Sequence, residues 1–364
     1  MMKRITVYHD PSKFAGFPAN AGLFCWENEI LAAFHVGDFL EKPTGRKINE
    51  EKPMIIGLAR SLDGGETWQV ELDNPINRIN TEKPIPLPAE GIDFSRPGFA
   101  LKVGKASEQI QNTAYMVSYD RGHTWEGPYL LPDADDTLTP RTDYIVESES
   151  TCLLMMSRRM KGIPCRRYPD RAYAVRLEDH GRKWRFLGYV ADRQARSVLT
   201  NTVRMSDGRL ICAFSRRRDP NREEKATEKR QRIYPLNNWI EVQESRDGGI
   251  TWNLLSRLTT PYDAIAQKSN PTALSRLPDG RLVIVYAFRG DNPRMVARIS
   301  ADGGTSWGDE IVLDNDSISD DMGYPKLAML PFGKMVVVYY VATSEMPSQH
   351  IKALIWTPGE GEYK

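Results

Sequence analysis

The chain has few of the residues that build scaffolds by themselves. Only four cysteines occur in 364 residues, at 25, 152, 165 and 212. They follow no CxxC or metal-ligand spacing, so they read as reduced, mostly buried thiols rather than as a disulfide framework. The five histidines, at 9, 35, 123, 180 and 350, form no ligand spacing and no phosphate-cradling loop is present, so neither a metal nor another cofactor is expected. After the basic start MMKRITVYHDP there is no apolar run of the ~7–15 residues that a leader needs. Neither a signal peptide nor a membrane span is expected, and a cytoplasmic location follows. Charge of one sign is also missing: 49 Lys and Arg stand against 48 Asp and Glu, a net charge of +1. No global field would draw the protein onto nucleic acid or a membrane, so any anion site must be local. What remains, 40% hydrophobic and 27% charged residues, suits a globular chain with a sizeable core, here read as one domain over residues 1–364.

What the chain does contain is a repeat. SLDGGETW at 61–68 returns as SYDRGHTW at 118–125, SRDGGITW at 245–252 and SADGGTSW at 300–307, with a worn copy, LEDHGRKW, at 177–184. The pattern S-x-D-x-G-x-[TS]-W is the Asp box, a turn motif. Its Asp accepts backbone N–H bonds, its Gly supplies a positive φ, and its Trp packs between sheets. The repeated aspartates therefore read as structural.

Hairpins run in phase with the boxes. TVRMSDGRLICAF (202–214), TALSRLPDGRLVIVYAF (272–288) and KLAMLPFGKMVVVYY (326–340) place apolar runs on both sides of a glycine turn, and GLFCWENEILAAF (22–34) and YIVESESTCLLMM (144–156) are variants. A further strand, the box and a fourth strand complete each unit, which is a propeller blade. Boxed blades fall at about 22–75, 94–132, 141–192, 197–260 and 270–314. A sixth unit, GYPKLAMLPFGKMVVVYY with HIKALIW, runs out of chain one strand short, and KRITVYHD at 3–10 can supply the missing strand. The expected fold is an all-β six-bladed β-propeller with Asp-box turns, closed by the N-terminal strand in the last blade.

A propeller gathers ligands where inner strands converge. The expected inner-strand starts carry Arg96, Arg141, Asp143, Asn201, Asn270 and Asp321 with Tyr324. The second-strand ends carry His35, Asp38, Arg158, Arg159, Arg216 to Arg218 and Arg289. Converging arginines make a bidentate anion site, which a carboxylate-bearing sugar fits. The run RRRDPNREEKATEKRQR at 216–232 reads as a solvated connection with only its first residues near the channel.

The blade order, the four boxes and the line HVGD…GLARSLDGGETW after the first hairpin resemble the sialidase (neuraminidase) superfamily over essentially the whole chain. The last blade, Asp321-Met322-Gly323-Tyr324-Pro325, is similar to the D-x-G-Y-P of bacterial sialidase-like proteins. That resemblance implies a three-arginine carboxylate clamp, a Tyr nucleophile polarised by a Glu, and an Asp acid/base, the exception to two-carboxylate glycoside hydrolysis. It assigns Tyr324 as nucleophile and Asp38 as acid/base, with His35 as competitor. Arg216 and either Arg289 or Arg294 become clamp residues. Two positions depart from the pattern: Gly16-Phe17-Pro18 stands where the first clamp Arg belongs, and no Glu lies near Leu199 to Asn201. Asp321 or Asp143 could support Tyr324 instead.

The resulting expectation is a sialidase-like exo-glycoside hydrolase for a small acidic saccharide. Tyr324, Asp38 and Asp321 act on the bond, and Arg216, Arg289, Arg158, Arg96, His35, Asp143, Asn201 and Asn270 hold the sugar. The alternatives are a non-catalytic carbohydrate-binding propeller and a lyase on uronic-acid-containing glycans, in which Tyr and His beside an Arg clamp abstract a proton next to a carboxylate.

Overall fold

The computed structural model describes residues 2–42, 46–79, 82–105, 113–131, 141–160, 170–218, 227, 238–258, 271–290 and 292–358. Six antiparallel sheets form the blades of a propeller. Strand β1 (Lys3–Tyr8) leads, and blade 1 follows with β2 (Lys13–Gly16), β3 (Gly22–Trp26), β4 (Glu29–Asp38), β5 (Ile55–Ser61) and β6 (Gln69–Glu71). Blade 2 is β7 (Ala100–Lys105), β8 (Thr113–Ser118) and β9 (Glu126–Leu130). Blade 3 is β10 (Tyr144–Ser148), β11 (Thr151–Arg159), β12 (Asp170–Glu178) and β13 (Lys183–Tyr189). Blade 4 is β14 (Arg196–Arg204), β15 (Leu210–Arg217), β16 (Asn238–Ser245) and β17 (Asn253–Leu258). Blade 5 is β18 (Thr272–Arg276), β19 (Leu282–Phe288), β20 (Arg294–Ser300) and β21 (Ile311–Asp314). Blade 6 is β22 (Gly323–Met329), β23 (Met335–Val341) and β24 (His350–Trp356), completed by β1, which pairs with β24 from Lys3↔Ile355 to Tyr8↔Ile351. The N-terminal strand thus closes the ring and covers the edge of β24, as expected from sequence.

Each blade packs against two neighbours, so its middle strands are buried on both faces. That is why β19 (LVIVYAF) and β23 (MVVVYYV) read as continuous apolar runs rather than as an alternation, and why every residue in them is buried. The core is divided accordingly into clusters between adjacent blades, for example Phe34 and Val36 of blade 1 with Val336 and Val338 of blade 6, and Val283 and Val285 of blade 5 with Val337 and Tyr339 of blade 6.

The Asp boxes are the turns after the third strands. Asp302 accepts N–H bonds from Thr305 (3.1 Å) and Ser306 (2.9 Å) and O–H bonds from Ser300 (2.8 Å) and Ser306 (2.6 Å). The Ser300 hydroxyl in turn accepts the Gly304 N–H at 2.8 Å. The same pattern holds at Asp63 and Asp247, and at Asp120 except that the His123 N–H donates to the Asp120 carbonyl. Glycine is required at the equivalent position of blade 2: Gly122 has φ +82°, and a Cβ there would fall 2.3 Å from the Leu31 side chain.

Blade 2 departs from the expected pattern. Ala100 at the start of β7 pairs with Ser118 at the end of β8, just before the box, so β7 occupies the second-strand position. Among the described residues no strand fills the innermost position of this blade. Residues 92–98 instead run along the box face, where the Ile92 and Phe94 N–H groups donate to the His180 and Glu149 carbonyls and Arg121 N–H donates to the Gly98 carbonyl. A Pro and two Gly within GIDFSRPG explain the failure of this segment to continue as a strand. Among the described residues, no helix is long and apolar enough to cross a membrane.

Candidate active site

Antiparallel alternation puts the Asp boxes and the inner hairpins on one face of the ring. The inner-strand starts and second-strand ends lie on the other, which forms a funnel into the central channel. The chain enters three inner strands there through residues forced into the left-handed region: Phe17 (φ 61°), Leu199 (φ 61°) and Tyr324 (φ 50°). Non-glycine residues in that conformation cost roughly 1–3 kcal/mol each and concentrate at functional sites. The strand register slips at two of these points, between Val198 and Asn201 and between Gly323 and Lys326.

The three left-handed residues meet. Tyr324 packs on Phe17 (ring centroids 5.2 Å apart) and Tyr340 (5.9 Å), and beside Ala19, Val198 and Leu199. The Arg289 guanidinium lies 5.9 Å from the Tyr324 ring, donates to the Asp320 carbonyl at 2.7 Å and reaches Asp321 Oδ1 at 3.1 Å. Tyr340 donates its hydroxyl to the same oxygen at 2.7 Å, while Asp321 Oδ2, buried, has no hydrogen-bond partner among the described residues. Burial and the Asp321 carboxylate push the Tyr340 phenol well above its ordinary range, so it stays a donor. Tyr324, Arg289 and Asp321, all chosen from sequence, therefore converge.

On the other side of Phe17 stands His35, at a ring distance of 6.1 Å. Burial, then the charges of Lys102 and Arg141, push its pKa down to about 3, so it is neutral, and its Nδ1 has no partner among the described residues. Lys102 is 5% exposed and makes no hydrogen bond or ion pair among the described residues. Burial lowers its ammonium pKa to about 8. Burial likewise lowers Arg141, which also feels Tyr324, Arg196, Asp170 and Arg46. Arg196 Nε is 3.2 Å from Asp170, and Arg46 stacks over Phe17 at 4.7 Å. The funnel is thus lined mainly by cations in a chain whose net charge is +1.

Other sequence-chosen residues are placed differently. Asp38 ends β4, and both its oxygens are held by lysines, Lys13 and Lys52, each at 2.7 Å. Those bonds depress its pKa to about 2, which suits a fixed anion and not a proton donor. Arg216 is 1% exposed and directed between sheets, bonded to the Asp192 carboxylate and 3.7 Å from Glu241 Oε2. Its position at the end of β15 gave the right strand end but not the side to which the residue points. Arg158 stacks at 5.8 Å over Tyr173, on the blade 2 side of its sheet. Arg96 is a correction: it lies on the box face, over Tyr119 at 4.2 Å, because blade 2 has no inner strand for it to begin. Asp143 and Asn201 sit in the channel below the funnel. Asp143 accepts from the Thr202 N–H (3.2 Å) and hydroxyl (3.0 Å), and Asn201 accepts from Lys326 at 3.3 Å. Asn270 lies outside the described residues. Arg217 and Arg218 are half-buried at the start of the charged run, most of which is likewise outside the described residues.

Sequence reasoning missed Lys102, Arg196, Asp170 and Arg46. Lys102 had a readable signal, a lone charge inside the apolar strand FALKV. Arg141 was read as an inner-strand start but not as part of the anion site. Arg46, from the long β4–β5 connection, carried no periodic signal.

The ring of six blades with its repeated box turns agrees with a family match. The chain belongs to the BNR repeat-like domain family, which matches residues 99–337. No curated protein matches it. Among solved structures it is similar to a protein of unknown function from Dyadobacter fermentans, with TM-score 0.69 and 17% identity, covering 97% of this chain and 98% of that one. It is also similar to the Penicillium chrysogenum alpha-L-arabinanase complexed with arabinobiose, with TM-score 0.60, 12% identity and 97% of each chain covered. The NanB sialidase of Streptococcus pneumoniae gives TM-score 0.55 and 13% identity, covering 98% of this chain and 71% of that one. At these identities the likeness is one of fold.

Proposed function

We propose that the protein is an exo-acting glycoside hydrolase of the sialidase-like class, acting in the funnel on a small saccharide that carries a carboxylate. The observation that carries this reading is the convergence of Arg141, Arg289 and the unpartnered Lys102 around Tyr324 and His35. Cations buried in a low-dielectric site bind an anion far more strongly than the same groups in water. Tyr324, held at φ 50°, presents its hydroxyl as nucleophile. Arg141 and Arg289 stand beside it, and Asp321 fixes Arg289. Similarity in fold to a sialidase and to an arabinanase supports glycoside chemistry.

A non-catalytic sugar-binding propeller is the second reading. It is favoured by the absence, among the described residues, of a carboxylate bonded to the Tyr324 hydroxyl, and by the lysines that hold Asp38 ionised. The test is release of 4-methylumbelliferone from α-sialoside, β-glucuronide and α-L-arabinofuranoside probes by the native protein, Tyr324→Phe and Arg141→Ala. Turnover of an acidic probe that both substitutions abolish supports hydrolysis. Preference for the arabinofuranoside refutes the acidic assignment. Binding without turnover selects the second reading. Carboxylate affinity should fall as pH rises through about 8, where Lys102 loses its charge.

A further inference from the structure

The missing inner strand of blade 2 leaves a cavity of about 300 Å³, at the lower end of small-molecule sites. It lies in the central channel below the funnel. It begins one residue below Arg141, at Thr142 and Asp143, and extends past Tyr144 to Phe99 and Trp26 near the box face. One wall is aromatic: Phe24 and Trp26 come from β3, Phe99 precedes β7 and Tyr144 opens β10. The other is polar, made by Asp143, Asn201, Thr202 and Lys326. Side chains cap the free inner edge of β7, since the Leu101 and Val103 N–H groups donate to Tyr144 Oη (3.3 Å) and Thr142 Oγ1 (3.4 Å). A peptide strand therefore has no ladder to join, and the space suits a small molecule.

The polar wall has unused capacity. The Lys326 ammonium donates to the Thr142 carbonyl (3.0 Å) and Asn201 Oδ1 (3.3 Å), leaving one of its three N–H groups. Asp143 accepts from Thr202 through both oxygens, with the Thr200 hydroxyl as a further donor, so of the about four acceptor sites of a carboxylate one remains. We propose that this cavity is a second binding site, for one neutral monosaccharide whose C–H face stacks on the Trp26 wall and whose adjacent hydroxyls donate to Asp143 and accept from Lys326. A ring hydroxyl is both donor and acceptor, which matches an opposite-charge pair. An anionic sugar would meet Asp143 and a cationic one Lys326, so the site excludes both. Burial pushes Asp143 up and Lys326 down from their ordinary values, a cost that such a ligand relieves.

Cys25 lines the cavity and reports its occupancy. The rate of its alkylation by N-ethylmaleimide at pH 8, followed by peptide mass spectrometry, should fall several-fold in the presence of at least one of D-glucose, D-galactose, D-mannose or L-arabinose. Glucuronate and glucosamine should leave it unchanged. Lys326→Met should remove the protection, and Leu274→Phe, which fills the cavity without touching a charge, should do the same in a protein whose melting curve shows it folded. Tyr324→Phe should leave the protection intact, which separates this site from the funnel. Cys25 that fails to react in the native protein, a rate insensitive to every neutral sugar, or equal protection by glucuronate overturns the proposal.

Discussion

The two faces of the ring use polar residues in opposite ways. On the box face each aspartate is saturated. Burial acts to raise Asp63 and Asp302, yet the hydroxyl and N–H groups of Thr67 and Ser306 outweigh it and hold both carboxyls at about 2. On the funnel face the polar groups are buried and incompletely bonded: His35 Nδ1, Asp321 Oδ2 and the Lys102 ammonium have no partner among the described residues. A saturated carboxylate lowers the energy of the folded chain and has nothing left to offer a ligand. A buried group with an open valence costs stability until something binds. The repeated aspartates therefore belong to folding, and the open valences lie on the funnel face.

Substitutions can break this division. The largest effect should come from Tyr324→Phe, which is expected to cut turnover of the best glycoside by roughly 10²-fold or more, the scale of a lost proton-transfer group, with the urea midpoint nearly unchanged. A stability loss without a selective activity loss would move Tyr324 to the structural side. Arg216→Ala should do the reverse. Loss of a 1% exposed guanidinium leaves the buried Glu241 charge with the half-exposed Arg257 and the neutral Trp239 and Gln243 donors, at a cost of about 3 kcal/mol in equilibrium unfolding, while activity per folded molecule persists. Asp302→Ala removes a carboxylate that accepts four hydrogen bonds and should cost about 2 kcal/mol, again without selective loss of activity.

The remaining two tests sharpen the comparison. His35 binds a proton in the unfolded chain below pH ~6.5 but in the folded chain only below about 3. The unfolded state is therefore the more protonated in that window, and stability falls as pH drops from about 6.5 towards 3. His35→Gln should flatten the acid limb of a stability–pH curve by up to one proton. An unchanged slope would show that His35 is not buried neutral. The smallest effect is expected from Arg96→Ala, which removes an exposed stacking contact on Tyr119 worth roughly 0.5 kcal/mol and should leave ligand affinity unaltered. A large affinity loss would return Arg96 to the funnel.

Sequence reading succeeded wherever a local rule was repeated. The box pattern, the glycine hairpins and the sheet closure through KRITVYHD all appear in the structure as read. Tyr324, Arg289 and Asp321 lie together because they stand at strand ends that periodicity locates. The misplacement of Arg96 arose because blade 2 was assumed to have the same inner strand as the others. Arg216 was misjudged because a strand end fixes position along the strand but not which inter-blade face receives the side chain.

The sequence by itself determined the number of blades, their order and the face on which the boxes lie, since each depends on contacts within a turn or between neighbouring strands. The tertiary structure alone decided which cations share the funnel. Lys102, Arg141 and Arg289 stand in blades 2, 3 and 5, and their common field at Tyr324 and His35 depends on the ring's curvature and on the burial that closure imposes.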